Sequence, residues 1–288
     1  MRDSTSPTAP VSACAASPSS TSPAAISPSS TKAAALGLHI LEGPIMSKID
    51  QVRSFFETPQ GYLVGSQFNI RIRIETVQEF TKNLTFDRVL DIGCGDGSIS
   101  LPLLARSKRL TLLDVSTNML DLARNKIPLE RAHDVDLINR NFVGANLEPE
   151  SFDLVLCIGV LAHVDSPAAV ISEIARIAKP GACVVLQFTD RFHFWGVPYA
   201  VYSAVYRRLL KQEPYTLNRL SRRQVMRLCQ KEHLNISAVY RYGLPPLGTS
   251  RFAGQDERYK MSRHVFGPSY RNRNRWMGNE FICRLEKA

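Results

Sequence analysis

The sequence of 288 residues has no unbroken apolar run of about 18 residues, so no membrane-spanning helix is expected. Its six cysteines, Cys14, Cys94, Cys157, Cys183, Cys229 and Cys283, include no Cys-x-x-Cys pair. That spacing argues against a zinc site, and no metal is expected. Several of them sit in apolar, strand-like runs, where cysteine behaves as a small hydrophobe, and a reducing cytoplasm suits them best. There is no internal repeat. Residues 1–45 have no aromatic residue and only four charged ones, and consist mainly of Ser, Pro, Ala and Thr. Such a stretch buries too little apolar surface to offset chain entropy and is expected to be a disordered tail. It lacks the basic start and apolar core of a secretory signal.

Acidic charge is scarce in the last third. Residues 1–190 carry 17 Lys and Arg against 20 Asp and Glu, whereas residues 191–288 carry 19 against 6. The whole chain's net charge of +10 therefore comes from its C-terminal part. A basic surface of this kind is either an ordinary solvated face or an attractor for an anionic substrate, a membrane surface or a nucleic acid.

Periodicity divides the rest. From Ile49 to about Lys82 the pattern is helical and interrupted at Pro59–Gly61, with Phe55, Phe56, Tyr62, Leu63, Phe68 and Ile70 on an apolar face; residues 46–84 read as an N-terminal helical cap. Residues 85–190 then alternate. Strands are expected at Arg88–Ile92, Leu110–Leu113, Val135–Ile138, Phe152–Ile158 and Ala182–Phe188. Helices are expected at Ser98–Ala105, from Ser116 to Lys126, and from Ser166-Pro167 to a stop at Pro180-Gly181. Alternation of this kind implies a parallel sheet with helices on both faces. Residues 191–288 read as a basic, substrate-side region that completes the sheet. Helices are expected at Val197–Leu210 and Ser221–Lys231, strands at Ile236–Tyr242 and Glu280–Leu285, and a loop-rich stretch at Gly243–Gly278.

The segment Val89-Leu90-Asp91-Ile92-Gly93-Cys94-Gly95-Asp96-Gly97 carries the chemistry. A strand that runs into a glycine loop presents backbone N–H groups at the strand's C-terminal edge, where open α/β sheets bind ligands. The spacing is not the Gly-x-Gly-x-x-Gly of dinucleotide sites. Asp91, at the strand end, suits a ligand with an ammonium group better than a pyrophosphate. Asp114 closes the second strand, where a carboxylate can accept both hydroxyl protons of a ribose; the plainer alternative is a helix-capping aspartate.

Together with Leu110–Asp114, Ser151–Leu156 and Leu161-Ala162-His163-Val164, this segment resembles the successive motifs of class I S-adenosylmethionine-dependent methyltransferases, in particular the group that modifies small molecules. The resemblance covers about residues 88–188. It implies an α/β, Rossmann-like doubly wound fold with a seven-stranded, mostly parallel sheet and Glu280–Leu285 as its one antiparallel strand. It implies S-adenosylmethionine as cofactor. Asp91 would hold the amino group of its methionine moiety, Gly93, Cys94 and Gly95 would line methionine and ribose, and Asp114 would take the ribose hydroxyls. Val115 would pack on adenine, with Asn141 and Phe142 nearby. Asn141 stands where the family often has an acid, and an amide can still accept from an amino group. Ile158 and Gly159 would border the transferring methyl. His163 is the candidate catalytic base, and the alternative is that it only orients its loop.

Candidate substrate residues are Tyr62, Phe192, Trp195, Tyr199, Arg222 and Arg223. Aromatics beside a basic surface suit an apolar acceptor with an anionic head, of lipid, polyketide or prenyl type. O- or C-methylation is favoured because nothing marks an amine pocket. Two alternatives stand beside this reading. One is a nucleic-acid (RNA) methyltransferase, motivated by the basic last third; it lacks an Asn/Asp-Pro-Pro-Tyr motif, a Pro-Cys motif and any recognisable RNA-binding module. The other is a non-catalytic binder of the cofactor. Peripheral membrane contact is compatible with the charge.

Overall fold

In the computed structural model, the described residues are 48–56, 58–190, 218, 220–243 and 253–288. Seven strands form one sheet: β1 (Phe86–Ile92), β2 (Ser107–Asp114), β3 (Val135–Asn139), β4 (Phe152–Cys157), β5 (Ala178–Thr189), β6 (Leu234–Tyr242) and β7 (Glu280–Lys287). Their order across the sheet is β3-β2-β1-β4-β5-β7-β6. The first five run parallel, and β7 is antiparallel to both β5 and β6. The chain reverses its direction of travel across the sheet between β1 and β4, so ligands are expected beyond the C-terminal ends of those strands.

The central strands are buried on both faces, which is why they read as unbroken apolar runs. One core layer holds Leu90, Ile92, Val155, Cys157, Ile171, Ile174, Val184 and Phe281. The opposite layer holds Val89, Leu110, Leu112, Leu154, Leu156, Val185, Tyr240 and Ile282.

The helices start where short polar residues can cap them. Ser116 Oγ accepts the Met119 N–H at 3.3 Å at the head of α4 (Thr117–Arg124). Ser166 Oγ accepts the Ala169 N–H at 3.2 Å ahead of Pro167, which opens α5 (Pro167–Ile177). Ser221 and Gln224 make a reciprocal capping box on α6 (Arg222–Lys231).

The N-terminal cap comprises three helices, α1 (Lys48–Phe55), α2 (Pro59–Gly65) and α3 (Gln67–Phe80). The break expected at Pro59–Gly61 falls earlier, because proline is favourable in a first turn and here begins α2.

Three further expectations need correction. The Ser98–Ala105 segment is a turn followed by a short 3₁₀ helix, Leu101–Arg106, with Pro102 at its start. The stop at Pro180-Gly181 lies inside β5, since Ala178 already pairs with Phe152 and the register shifts before Leu154. The stretch Gly243–Gly278 contains a helix, α7 (Gln255–Phe266), which docks on α3. The helix expected at Val197–Leu210 and the tail 1–45 lie outside the described residues. Among the described residues, no helix is long and apolar enough to cross a membrane, and no group of three or more His, Cys, Asp or Glu is placed to hold a metal.

Candidate cofactor and acceptor site

The C-terminal ends of β1, β2 and β4 open onto a cleft of about 230 Å³. Its floor is the glycine loop. The Gly93 and Cys94 N–H groups both donate to Leu113 O, at 2.7 and 3.1 Å, so the loop folds back onto β2. Gly93 and Gly95 have φ of +64° and +54°, in the left-handed region that glycine enters without penalty. A Cβ on Gly93 would lie 2.5 Å from Val160 Cγ2, so the loop after β1 and the loop after β4 can close to this distance only at a glycine.

Asp114 stands at the rim of this floor. Its Oδ2 accepts the Gly95 N–H and its Oδ1 accepts the Ser116 N–H, both at 2.9 Å. Each carboxylate oxygen keeps acceptor capacity for a further donor. Burial raises the Asp114 pKa, while the Ser116, Gly95 and Val115 amides oppose the rise. Asp91 is more enclosed, at 2 % exposure, and its Oδ2 is buried without a hydrogen-bond partner. Burial pushes its pKa up to about 7, the Ser100 hydroxyl pulls it down, and the Asp114 and Asp96 carboxylates add to the rise.

These features fit the cofactor that the motifs imply. An orphaned buried carboxyl oxygen calls for a cationic donor. A carboxylate held by backbone amides on one side is ready to accept hydroxyls on the other. The positive-φ glycines leave the floor bare of side chains.

The structure brings most of the expected residues together. Gly93, Gly95, Asp114, Val115, Asn141, Phe142, Ile158, Gly159, His163 and Tyr62 all line the cleft. Asp91 and Cys94 lie behind the wall and are almost fully buried. Burial raises the Cys94 thiol well above its ordinary range, which makes it a packing group and not a nucleophile.

Arg222 and Arg223 do not join the cleft. With Asp190, Ser221, Met226 and Arg227 they line a separate depression, because α6 buries Val225 and Cys229 and turns its charged side outward. Phe192, Trp195 and Tyr199 lie outside the described residues.

The cap adds lining residues that the motif pattern does not name. Ile49, Val52 and Phe56 face the cleft from α1 and the turn after it. Their spacing of three and then four is an amphipathic helix signal, visible in the sequence as packing without a destination. Phe56 meets both Tyr62 and His163 edge-on, at ring distances of 5.1 and 6.3 Å. Ser116 Oγ donates to Phe56 O at 3.2 Å, which ties the end of α1 to the head of α4.

Residues 90–186 match the family model described as "Methyltransferase domain". This match falls on the same segment whose motifs resemble those of class I S-adenosylmethionine-dependent methyltransferases. Among curated relatives, the chain is 42% identical over 105 residues to a protein of Hahella chejuensis named ubiquinone biosynthesis O-methyltransferase; the match covers 36% of this chain and 44% of that protein. A protein of the same name from Vibrio atlanticus is 31% identical over 144 residues, covering 50% and 59%. The chain thus spans about half the length of the curated relatives it matches. Among solved structures, magnesium protoporphyrin IX methyltransferase from Synechocystis PCC 6803 with bound S-adenosylmethionine is similar in fold. Its TM-score is 0.55 at 15% identity, with coverage of 84% of this chain and 100% of that one.

Proposed function

We propose that the protein transfers a methyl group from S-adenosylmethionine to an oxygen, or failing that a carbon, of a small molecule. The observation that carries the proposal is the Asp114 carboxylate at the rim of a side-chain-free glycine floor, with the orphaned Asp91 carboxyl oxygen buried behind that floor, in a cleft that Gly159, Tyr62 and His163 also line. The sequence relatives bear the name of an O-methyltransferase, and this supports oxygen as the acceptor atom.

Bound S-adenosylmethionine supplies an electrophilic methyl on a sulfonium, a good leaving group. The residues of the chain then have to bind, orient and exclude water. Asp91 compensates the ammonium, and Asp114 fixes the ribose. Val115 and Phe142 flank the adenine, and Asn141 accepts from its amino group. Ile158 and Gly159 border the place where the acceptor meets the methyl. Proximity in a cleft with apolar walls supplies much of the rate. His163 is the candidate base for the acceptor's proton, 6.3 Å ring to ring from Phe56.

The acceptor is an apolar molecule with an anionic group, and the enzyme works in the cytoplasm. The nucleic-acid alternative drew on the charge of the last third, but Arg222, Arg223 and Arg227 line their own depression and not this cleft.

Calorimetry with S-adenosylhomocysteine tests the binding half. Micromolar affinity that drops at least tenfold in Asp91→Ala and in Asp114→Ala supports it, and unchanged affinity in both refutes the assignment. Incubation with methyl-labelled cofactor and metabolite extracts tests transfer. Label in a small-molecule fraction that is lost in the same variants is the expected result.

A further inference from the structure

Arg73 lies in α3, in the run Ile70-Arg71-Ile72-Arg73-Ile74, where nothing in the sequence separates it from its exposed neighbour Arg71. The structure separates them. Arg71 is a surface residue that pairs with Glu75 and Asp256. Arg73 points its head at the end of β4. A Cβ built on Gly159 would lie 3.3 Å from Arg73 Nη2 and 3.5 Å from both Cζ and Nη1. Three nearly equal distances mean that the guanidinium lies face-on against Gly159, where a Cβ would press on it. The edge of the plane, which carries the donors, is directed elsewhere. Nη1 donates to the Tyr62 hydroxyl at 3.1 Å, and Nε is buried without a partner.

A buried guanidinium normally faces a carboxylate. Among the described residues Arg73 forms no ion pair. Glu280 contributes to its electrostatic surroundings, but its oxygens are taken by neutral donors: Oε2 by Gln187 Nε2 at 2.9 Å and Oε1 by Thr189 Oγ1 at 2.8 Å. Gln187 Nε2 also donates to the Tyr242 hydroxyl at 3.3 Å. The Arg73 head therefore meets the Tyr62 hydroxyl, and the Glu280 carboxylate accepts from neutral donors and forms no ion pair with it. Tyr62, in turn, lines the cleft beside Gly159 and His163. With its oxygen accepting from Arg73, the hydroxyl's own proton is left to donate, and a donor polarised by a cation prefers an anionic acceptor.

We infer that Tyr62, backed by Arg73, is the anion-recognising corner of the acceptor site, and that the methyl acceptor presents an oxyanion (a carboxylate, phosphate or phenolate) to the Tyr62 hydroxyl beside Gly159. This rests on the acceptor site proposed above and replaces Arg222 and Arg223 as the source of anion selectivity. Tyr62 makes the contact, and Arg73 is a positioning residue that acts through it.

The test uses the full chain saturated with S-adenosylhomocysteine. Benzoate, phenyl phosphate and 4-nitrophenolate are compared with the neutral benzyl alcohol by calorimetry at pH 8. At least one oxyanion probe is expected to bind tenfold or more tightly than benzyl alcohol. That preference should fall below threefold in Tyr62→Phe and in Arg73→Gln, and survive in Arg222→Ala/Arg223→Ala. S-adenosylhomocysteine affinity should stay within threefold of the parent in all variants. Tyr62→Phe keeps the ring and leaves the buried charge in place, so it reports even if Arg73→Gln does not fold. Equal binding of anionic and neutral probes, no binding of any probe, or a preference that survives in Tyr62→Phe overturns the inference. A parent chain that does not bind S-adenosylhomocysteine would instead overturn the proposed function.

Discussion

The Asp114 carboxylate accepts the backbone N–H of Gly95 at 2.9 Å, so the end of β2 and the glycine loop after β1 are held in fixed register. The same side chain takes the Ser116 N–H at the head of α4. It thus organises the loop and offers its remaining lone pairs to a ligand. Substitution should separate these roles. Asp114→Asn keeps one oxygen acceptor and should destabilise the free protein by about 1 kcal/mol. Loss of the two charge-assisted hydroxyl contacts should weaken S-adenosylhomocysteine binding by a larger factor, on the order of 30-fold or more. Thermal melts and calorimetry on the same sample decide the matter. Equal losses in stability and in binding energy would mean that Asp114 is only a structural cap.

Asp91 makes a pH-dependent prediction. Its carboxyl moves from an ordinary value of 3.8 to about 7 on folding, chiefly through burial. The folded state therefore binds more protons than the unfolded state between those values. The stability associated with Asp91 is fully present below pH 4 and is lost as pH rises toward 7. The ceiling on that loss is about 1.4 kcal/mol per pH unit over the interval. Asp91→Asn should thus melt higher than the parent at pH 8, and the difference should shrink steadily toward pH 4. A ligand with an ammonium group needs the ionised form. Parent affinity for S-adenosylhomocysteine should fall as pH drops below 7, by up to tenfold per unit, whereas the Asn variant binds weakly at every pH. A flat pH profile for the parent would show that Asp91 does not face the ammonium.

The glycine floor was legible because its requirement is local. A strand, then glycines at 93, 95 and 97, then an acid at the next strand end can be read without knowing what lies opposite. The sheet was legible for the same reason, since β1, β2, β4 and β5 are apolar runs of the right length. The acceptor side was not. Arg73 and Arg71 are indistinguishable in sequence; the packing of Phe68, Ile72, Thr76, Val77 and Phe80 orients the helix, and the absence of a side chain at Gly159 leaves room for the Arg73 head. Arg222 and Arg223 looked like substrate residues from their charge, but Val225 and Cys229 fix the orientation of α6 and carry the arginines away from the cleft. Helix α7 was hidden because Gly254 and Gly267 bracket a polar sequence whose stability comes from docking on α3.

Gly93 and Val160 should be energetically coupled. Gly93→Ala places a Cβ only 2.5 Å from Val160 Cγ2 and imposes φ +64° on a residue that disfavours it. The backbone conformation alone costs about 1–2 kcal/mol, and overpacking adds about 1–3 kcal/mol. Val160→Ala removes the offending methyl group. The double variant should recover the steric part and leave the backbone part, giving a coupling energy of at least about 1 kcal/mol in a denaturation cycle. Strict additivity would mean that the two loops part without cost and that the floor is not tightly closed.

Gln255, the first residue of α7, bridges the junction of α2 and α3. Its Oε1 accepts the Phe68 N–H at 3.2 Å, and its Nε2 donates to Gly65 O at 3.1 Å. One side chain therefore satisfies an orphan donor of one helix and an orphan acceptor of the other. Further along α7, Tyr259 donates to Glu75 Oε1 at 2.7 Å, and Arg263 pairs with the same carboxylate. Gln255→Ala should cost about 1–2 kcal/mol. The loss should be local: amide exchange should accelerate across residues 59–80, while β1, β2 and β4 keep their protection. The cofactor floor is built without α7, so S-adenosylhomocysteine affinity should change by less than about threefold, under 0.7 kcal/mol in round figures. Any anion preference of the acceptor site should weaken more, because Tyr62 and Arg73 both ride on the loosened helices. Faster exchange spread uniformly over the sheet would instead show that the cap and the core unfold as one unit.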